Sequence, residues 1–402
     1  MSEFEENNNY DIAENASSII KIKVIGVGGG GGNAVNRMID SGITSAEFAV
    51  VNTDKQALLM FRKKCQTIQI GEKLTGGQGA GADPKIGEMA AQESKDKLKE
   101  MLKDVDLLFI TAGMGGGTGT GAAPVIASLS REMGILTVAI VTKPFGFEGS
   151  KRMNNALKGI EKLREYVDAL LIIPNSKLMQ VLPKSTPIVQ AFKEADEVLR
   201  KGIQGISDLI ATPSMINLDF ADVKNIIKGP CSAHLGVGEG EGENRAITAV
   251  QQAVKSPLLE TSIVGASGVI LNIMGGYDLT LEEVDVASRL VHDVVDESAN
   301  IIIGAGIDSR LDGKILITLI ATGGIKDENG ANLEAGFSEK INKWQDRGTE
   351  ETGYVPLSET AKQERTAYTP NQNNFGQREM PSNDSNQVPA FIRKLKSGNR
   401  GN

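Results

Sequence analysis

Residues Gly113-Met-Gly-Gly-Gly-Thr-Gly-Thr-Gly121 limit what this chain can fold into more than any other stretch. Six of the nine positions are glycine. The apolar run Asp106-Leu-Leu-Phe-Ile-Thr111 before them predicts a buried strand, and Ala122-Ala-Pro-Val-Ile-Ala127 after them predicts a helix. A strand, a glycine turn and a helix N-terminus together make an anion site. Glycine lets backbone N–H groups approach phosphate oxygens, and the helix dipole adds positive potential there. The hydroxyls of Thr118 and Thr120 can donate to the same oxygens. No Gly-x4-Gly-Lys-Ser/Thr occurs, so the loop is not the common P-loop with its phosphate-binding lysine.

A second glycine cluster lies upstream. Ile22-Lys-Val-Ile-Gly-Val27 predicts the first strand, Gly28 to Gly32 follow it, and Asn33-Ala-Val-Asn-Arg-Met-Ile-Asp40 predicts a helix. Gly26, Gly28 and Gly31 satisfy the dinucleotide fingerprint, and Asn52-Thr-Asp54 ends the next strand, where an acidic ribose ligand would sit. That motif by itself admits a nicotinamide or flavin oxidoreductase. Two glycine loops after two strands instead suggest one row of phosphates held from both sides, as a nucleoside triphosphate requires.

The chain has 402 residues, enough for two or three domains. A net charge of −8 argues against nucleic acid as the main partner, and 4% aromatic residues leave few base-stacking platforms. Two cysteines (Cys65, Cys231) and two histidines (His234, His292) give no zinc spacing and little material for a catalytic triad, so no protein-held metal is expected. A reducing cytoplasm fits. The acidic start Met1-Ser-Glu-Phe-Glu-Glu-Asn7 is no signal peptide, and no apolar run approaches the ~20 residues of a membrane span, so direct membrane insertion is not expected.

Strand and helix patterns alternate from 19 to 182, a doubly wound α/β domain with a mostly parallel sheet. Strands are predicted at 19–27, 47–52, 66–70, 106–111, 135–142 and 168–174. One helix is predicted from Pro84 to Lys103 with Asp83 as its cap. Residues 183–211 predict a long central helix capped by Thr186. Residues 212–325 predict a smaller α+β domain, with strands near 264–275, 299–307 and 314–321 and helices near 220–228, 243–254 and 280–296. Lys228–Glu241, carrying Glu239 and Glu241, reads as a surface loop. Residues 1–18 predict a flexible tail and 326–387 a disordered linker, because apolar residues are sparse there. Residues 388–402 open with Val388-Pro-Ala-Phe-Ile-Arg-Lys-Leu-Lys396, an apolar and basic peptide on a long tether, the form of a short recognition motif.

Taken together, these stretches closely resemble the FtsZ family, the bacterial tubulin homologues of cell division. The resemblance rests on Gly26–Arg37, Gly79-Ala-Gly-Ala-Asp-Pro84, Gly113–Pro124, Pro144–Arg152, Ile173-Pro-Asn175, Phe192–Leu199 and Asn217-Leu-Asp-Phe-Ala-Asp-Val223. It spans about residues 19–325 plus the terminal peptide. It implies a tubulin-like fold, binding of GTP or GDP with Mg2+, GTP hydrolysis and head-to-tail polymerisation in the cytoplasm at a midcell division ring. It places Gly29, Gly30, Gly31, Gly32 and Asn33, together with Gly116, Gly117, Thr118 and Gly119, on the phosphates. Gly79–Asp83 resembles a γ-phosphate sensor. Glu148 and Arg152 fall on the ribose and phosphate side, Asn175 on base or ribose, Phe192 against the ring and Asp196 on guanine. A carboxylate accepts from guanine N1–H and the 2-amino group, and adenine offers neither donor. Asn217, Asp219 and Asp222, in a loop over 213–222, would reach the γ-phosphate of the next subunit. The terminal peptide, 388–396, would bind membrane tethers and division regulators of the FtsA, SepF, ZipA or EzrA type.

The residues alone favour plainer roles at three of these places. Glu148 and Arg152 have the spacing of a helix ion pair, Asp219 and Asp222 complement a helix dipole, and Phe192 with Asp196 would be core and solvated face. Other functions consistent with parts of the pattern are a plasmid-segregating tubulin relative, a nucleotide-regulated scaffold without hydrolysis, and the oxidoreductase.

Overall fold

The largely apolar runs Ile22–Val27, Leu107–Gly113, Leu136–Lys143 and Ala169–Pro174 are strands buried on both faces, as parallel sheets require. The computed structural model describes residues 20–183, 185–211, 219–227, 231–254, 263, 266–296 and 298–323. The first elements are β1 (Ile22–Val27), α1 (Gly28–Asp40), β2 (Glu47–Asn52), α2 (Lys55–Leu59), β3 (Gln66–Gln69), α3 (Glu72–Thr75), α4 (Pro84–Glu93), α5 (Lys95–Met101), β4 (Leu107–Gly113), α6 (Thr118–Glu132), β5 (Leu136–Lys143), α7 (Ser150–Arg164) and β6 (Ala169–Pro174). There follow α8 (Asn175–Val181), α9 (Ile188–Ala211), α10 (Phe220–Ile227), β7 (Cys231–Glu241), α11 (Arg245–Val254), β8 (Gly268–Gly275), α12 (Leu281–His292), β9 (Asn300–Ile307) and β10 (Lys314–Thr322). The expected tails, the linker, the terminal peptide and Asn217 lie outside the described residues.

The first six strands run parallel in the order β3-β2-β1-β4-β5-β6. Chain order reverses direction between β1 and β4. A crevice at the C-terminal ends of such a pair is where open α/β sheets bind ligands. Alternate strand residues divide the core. Ile25, Leu108, Ile110 and Ala139 share a cluster with Ala90, Ile126 and Leu163 of α4, α6 and α7. Val24, Phe109, Val138 and Leu171 share the other with Met38 of α1 and Leu199, Ile203 and Ile206 of α9.

A mixed sheet, β7-β10-β8-β9, continues from β6 through only two residue pairs, Ala169↔Cys231 and Leu170↔Ser232. The central helix α9 spans both sheets. Gly202 and Gly205 make this possible: a Cβ on either would lie 2.5 Å from Leu235 Cδ2 of β7 or Thr318 Cγ2 of β10, respectively.

Three local expectations need correction. Residues 231–241 are not a surface loop but β7, paired with β10 along nine positions. Its Gly236, Gly238 and Gly240 disguise it, since glycine is depleted from strands. Those glycines face α11, and a Cβ on them would fall 2.0, 1.9 and 1.9 Å from the carbonyl oxygens of Ala253, Ala249 and Arg245. The helix expected from Pro84 to Lys103 is two helices, α4 and α5, which meet at Ser94. There the hydroxyl accepts from Gly71 N–H at 3.1 Å instead of pointing to solvent. Thr186 does not turn its hydroxyl to a cap; it donates to the Pro183 carbonyl at 2.6 Å. Asp83 does cap α4, accepting from Lys85 N–H at 2.9 Å with Pro84 in the first turn.

Candidate nucleotide site

The two glycine loops meet at the C-terminal ends of β1 and β4. Gly28 (φ +73°) and Gly119 approach so closely that a Cβ on Gly28 would sit 2.8 Å from Gly119 N, and one on Gly30 would sit 3.2 Å from Gly113 Cα. Gly31 packs on Thr111 O, where a Cβ would be 2.3 Å away. Gly29 and Gly116 differ: a Cβ there would meet nothing within 4 Å. These two positions line a backbone-walled opening. Helices α1 and α6 begin on either side of it. Neither N-terminus has a side-chain cap or an acidic residue in its first turn. Their leading N–H groups and both dipoles therefore favour an anion in the opening.

The threonines do different work. Thr118 Oγ1 lies 2.7 Å from Thr53 Oγ1, at the end of β2, so the buried hydroxyl pair ties the α6 loop to a third strand. Thr120, expected on phosphate, is buried; its hydroxyl accepts from Gly115 N–H at 2.8 Å and so shapes the loop from behind. Asp54, the sought ribose ligand of a dinucleotide enzyme, instead caps α2, accepting from Gln56 N–H at 2.8 Å. The Gly79–Asp83 stretch closes the wall: a Cβ on Gly117 would fall 2.8 Å from Ala80 Cβ and 3.0 Å from Asp83 N.

Beside the phosphate opening lies an aromatic corner. Phe192, in the first turns of α9, meets Phe145 edge-on with ring centroids 5.1 Å apart, and Phe145 stacks on Phe147 at 5.2 Å. Phe145 and Phe147 escaped the sequence reading, although they lie inside the Pro144–Arg152 stretch. Asp196 sits one turn beyond Phe192 and pairs with Arg37 of α1, Nε to Oδ2, at 2.9 Å. Burial pushes the Asp196 carboxyl up, and Arg37 pulls part of that shift back. Asn175, where β6 passes into α8, is buried with its Oδ1 lacking any hydrogen-bond partner among the described residues. Such an atom is costly without a ligand or water. Glu148 and Arg152 form the i,i+4 ion pair that their spacing suggests, and Glu148 also accepts from Phe145 N–H at 2.9 Å. Arg152 lies next to the cradle, since a Cβ on Gly115 would be 2.8 Å from its carbonyl oxygen.

Asp219 and Asp222 are elsewhere. Asp219 Oδ1 accepts from Ala221 N–H at 3.2 Å at the start of α10, and both acids are exposed. Helix α9 separates them from the cradle. At Phe192 it lies beside Phe145, just past the C-terminal end of β5, and by Asp208 it accepts at 2.8 Å from Ser45, just before β2 begins. That stretch of sixteen residues covers about 24 Å. Helix α10 ends four residues before Cys231, which pairs with Ala169, the first residue of β6. The acids therefore belong to the N-terminal edge of the sheet and the glycine loops to its C-terminal edge.

The GTPase domain of the tubulin/FtsZ family matches residues 21–183, and the FtsZ C-terminal domain matches 231–325. An FtsZ dimer from M. jannaschii superimposes with a TM-score of 0.73 at 46% identity, over 77% of this chain and 90% of that one. The chain belongs to the FtsZ family. A tryptophan-to-tyrosine mutant of the M. jannaschii FtsZ gives a TM-score of 0.72, also at 46% identity, over 76% of this chain and 91% of that one. CetZ2 from Haloferax volcanii, solved as a GTPγS-bound protofilament, shares the fold at 22% identity, with a TM-score of 0.67 over 81% of this chain and all of that one. As an FtsZ relative carrying the GTPase domain, the chain binds and hydrolyses GTP and is a filament-forming protein of cell division. No helix among its described residues is long and apolar enough to cross a membrane.

Proposed function

We propose that GTP lies with its phosphates between Gly29–Asn33 and Gly116–Gly119 and its base at Phe192, Asn175 and Asp196. Hydrolysis waits until a second copy, docked head to tail, brings Asp219 and Asp222 to the γ-phosphate. Rows of such copies form the division ring at midcell. The observation that carries this reading is the separation along α9: within one chain the acids and the phosphate cradle lie at opposite edges of the sheet. A second observation supports a docked copy. Phe147, Met179, Ile188 and Val189 are each more than half exposed around the base end. Large apolar side chains gathered at one place mark a surface that meets a partner. Such a contact joins unlike faces and does not close, so it extends into filaments.

The donor set fits the expected metal as well. Mg2+ keeps several waters and takes phosphate oxygens with few protein ligands. Among the described residues no cluster of three acidic, histidine or cysteine groups forms a metal cage, and the cradle offers N–H groups rather than carboxylates. The ion would arrive with the nucleotide and neutralise charge developing on the phosphates. The chain's own part is positional. Backbone N–H groups fix the phosphates, the aromatic corner and Asp196 fix the base, and Asp219 and Asp222 of the neighbour orient the attacking water, with Asn217 assisting. The peptide at 388–396 would connect the filament to membrane tethers.

Asp219→Ala tests the split site. Turnover of GTP should fall on the order of a hundredfold, while nucleotide binding and GTP-driven assembly persist. A variant that no longer binds GTP would place Asp219 in its own subunit's cradle instead. Phosphate release by the unmodified chain should rise steeply above a threshold protein concentration, with GTP and not with ATP.

A further inference from the structure

The ion pair between α1 and α9 has no role in the phosphate cradle, yet it ends on the carboxylate assigned to the base. We infer that Arg37 is a positioning residue for guanine selection: it holds Asp196 ionised and fixed through Oδ2, so that the carboxylate can accept from both guanine donors. The inference rests on the base assignment proposed above.

Three observations support it. The Asp196 side chain is only 15% exposed, so its charge needs a partner. Arg37 supplies it through one N–H, Nε to Oδ2 at 2.9 Å. Two carboxylate oxygens offer about four lone-pair positions, which leaves room for N1–H and the 2-amino group. The geometry is also braced. Asp196 is one helical turn from Phe192, whose ring is set edge-on against Phe145, so the carboxylate and Phe192 of the aromatic corner share one helix. A protonated Asp196 would present an O–H to a base edge that also donates, and the match to guanine would be lost.

On the elements packed against α9 the other titratable groups are Lys143 of β5, Lys177 of α8, Cys231, His234, Glu239 and Glu241 of β7, and Asp40 of α1, which Lys64 engages at 2.8 Å. On α9 itself are Lys193, Glu194 beside Gln190, Glu197 paired with Arg200 and also within the field of Lys201 and Arg37, and Asp208, which accepts from Ser45. Arg37 is the cation in direct contact with Asp196. With it gone, burial acts alone and Asp196 takes up a proton at higher pH.

The experiment is GDP binding by the full chain across pH 5.5 to 8.5, for the unmodified protein and for Arg37→Gln, Arg37→Lys and Asp196→Asn. Arg37→Gln should bind several-fold more weakly at pH 6 and nearly normally at pH 8, so that the acid limb of its affinity moves to higher pH. Arg37→Lys should recover most of the loss. Arg37→Gln on the Asp196→Asn background should not move the pH profile at all. A loss equal at every pH, or none, overturns the inference, since a merely structural pair would weaken binding uniformly. The base assignment has its own readout. Asp196→Asn should exchange preference for guanine for preference for xanthine diphosphate, whose 2-oxo group accepts the new amide donor. Unchanged guanine preference in that variant sinks the base assignment itself.

Discussion

Two sets of glycines in this molecule look alike in sequence and do opposite things. In the cradle, Gly29 and Gly116 face space, with nothing within 4 Å of where a Cβ would stand. In β7, Gly236, Gly238 and Gly240 face a helix, and a Cβ on any of them would lie within 2.0 Å of a carbonyl oxygen of α11. One set leaves room for a ligand's oxygens to reach backbone N–H groups. The other lets a helix backbone rest directly on a strand. Glycine density therefore does not locate a binding site. What marks the cradle is the convergence of two glycine loops on two uncapped helix starts, with Gly29 and Gly116 left open between them.

The sharpest way to break this contrast is Gly238→Ala. The added methyl has no space against Ala249 O, so α11 must lift from β7, and stability should fall by about 3 kcal/mol or more. Urea unfolding would measure it. A loss under about 1 kcal/mol would show that the helix yields easily and that the close approach is incidental. Next in size is Arg245→Ala at the first turn of α11. Its guanidinium, 8% exposed, donates to Glu283 Oε2 at 3.0 Å, to Asp278 O at 2.9 Å and to the Asp278 carboxylate, and the Glu283 and Asp278 carboxylates raise its pKa against the cost of burial. Truncation should remove about 2 kcal/mol, with the GTP affinity of the remaining folded protein unchanged. An affinity change would couple the second sheet to the cradle. The smallest expected effect on folding is Gly116→Ala. Stability should stay within about 0.5 kcal/mol, while GTP affinity drops roughly tenfold, a cost of about 1.4 kcal/mol, because the methyl occupies phosphate space. Isothermal titration for affinity, beside urea unfolding for stability, separates the two. A stability loss like that of Gly238→Ala would erase the distinction between the two glycine sets.

The same contrast explains what could be read from residues alone. Strands at the centre of the parallel sheet announce themselves because burial on both faces demands largely apolar runs, as in Leu107–Gly113 and Leu136–Lys143. Strand β7 hides because its inner face carries no side chains at Gly236, Gly238 and Gly240. The phosphate loops are legible because anion binding at a helix start demands local sequence. The base end is less so. Arg37 and Asp196 are 159 positions apart, and only the packing of α1 against α9 joins them. Thr118 was legible as polar in a glycine loop, but its partner Thr53, 65 positions away, was not.

Helix α9 has one more consequence. A row of n copies has n cradles and n acidic ends, and α9, about 24 Å long between Phe192 and Asp208, stands between the two inside each copy. Only n − 1 cradles can meet a neighbour's acids. In the proposed head-to-tail arrangement the cradle at one tip of the row meets no acids, and the acids at the other tip meet no cradle. However long the row grows, it therefore has a head and a tail that differ chemically.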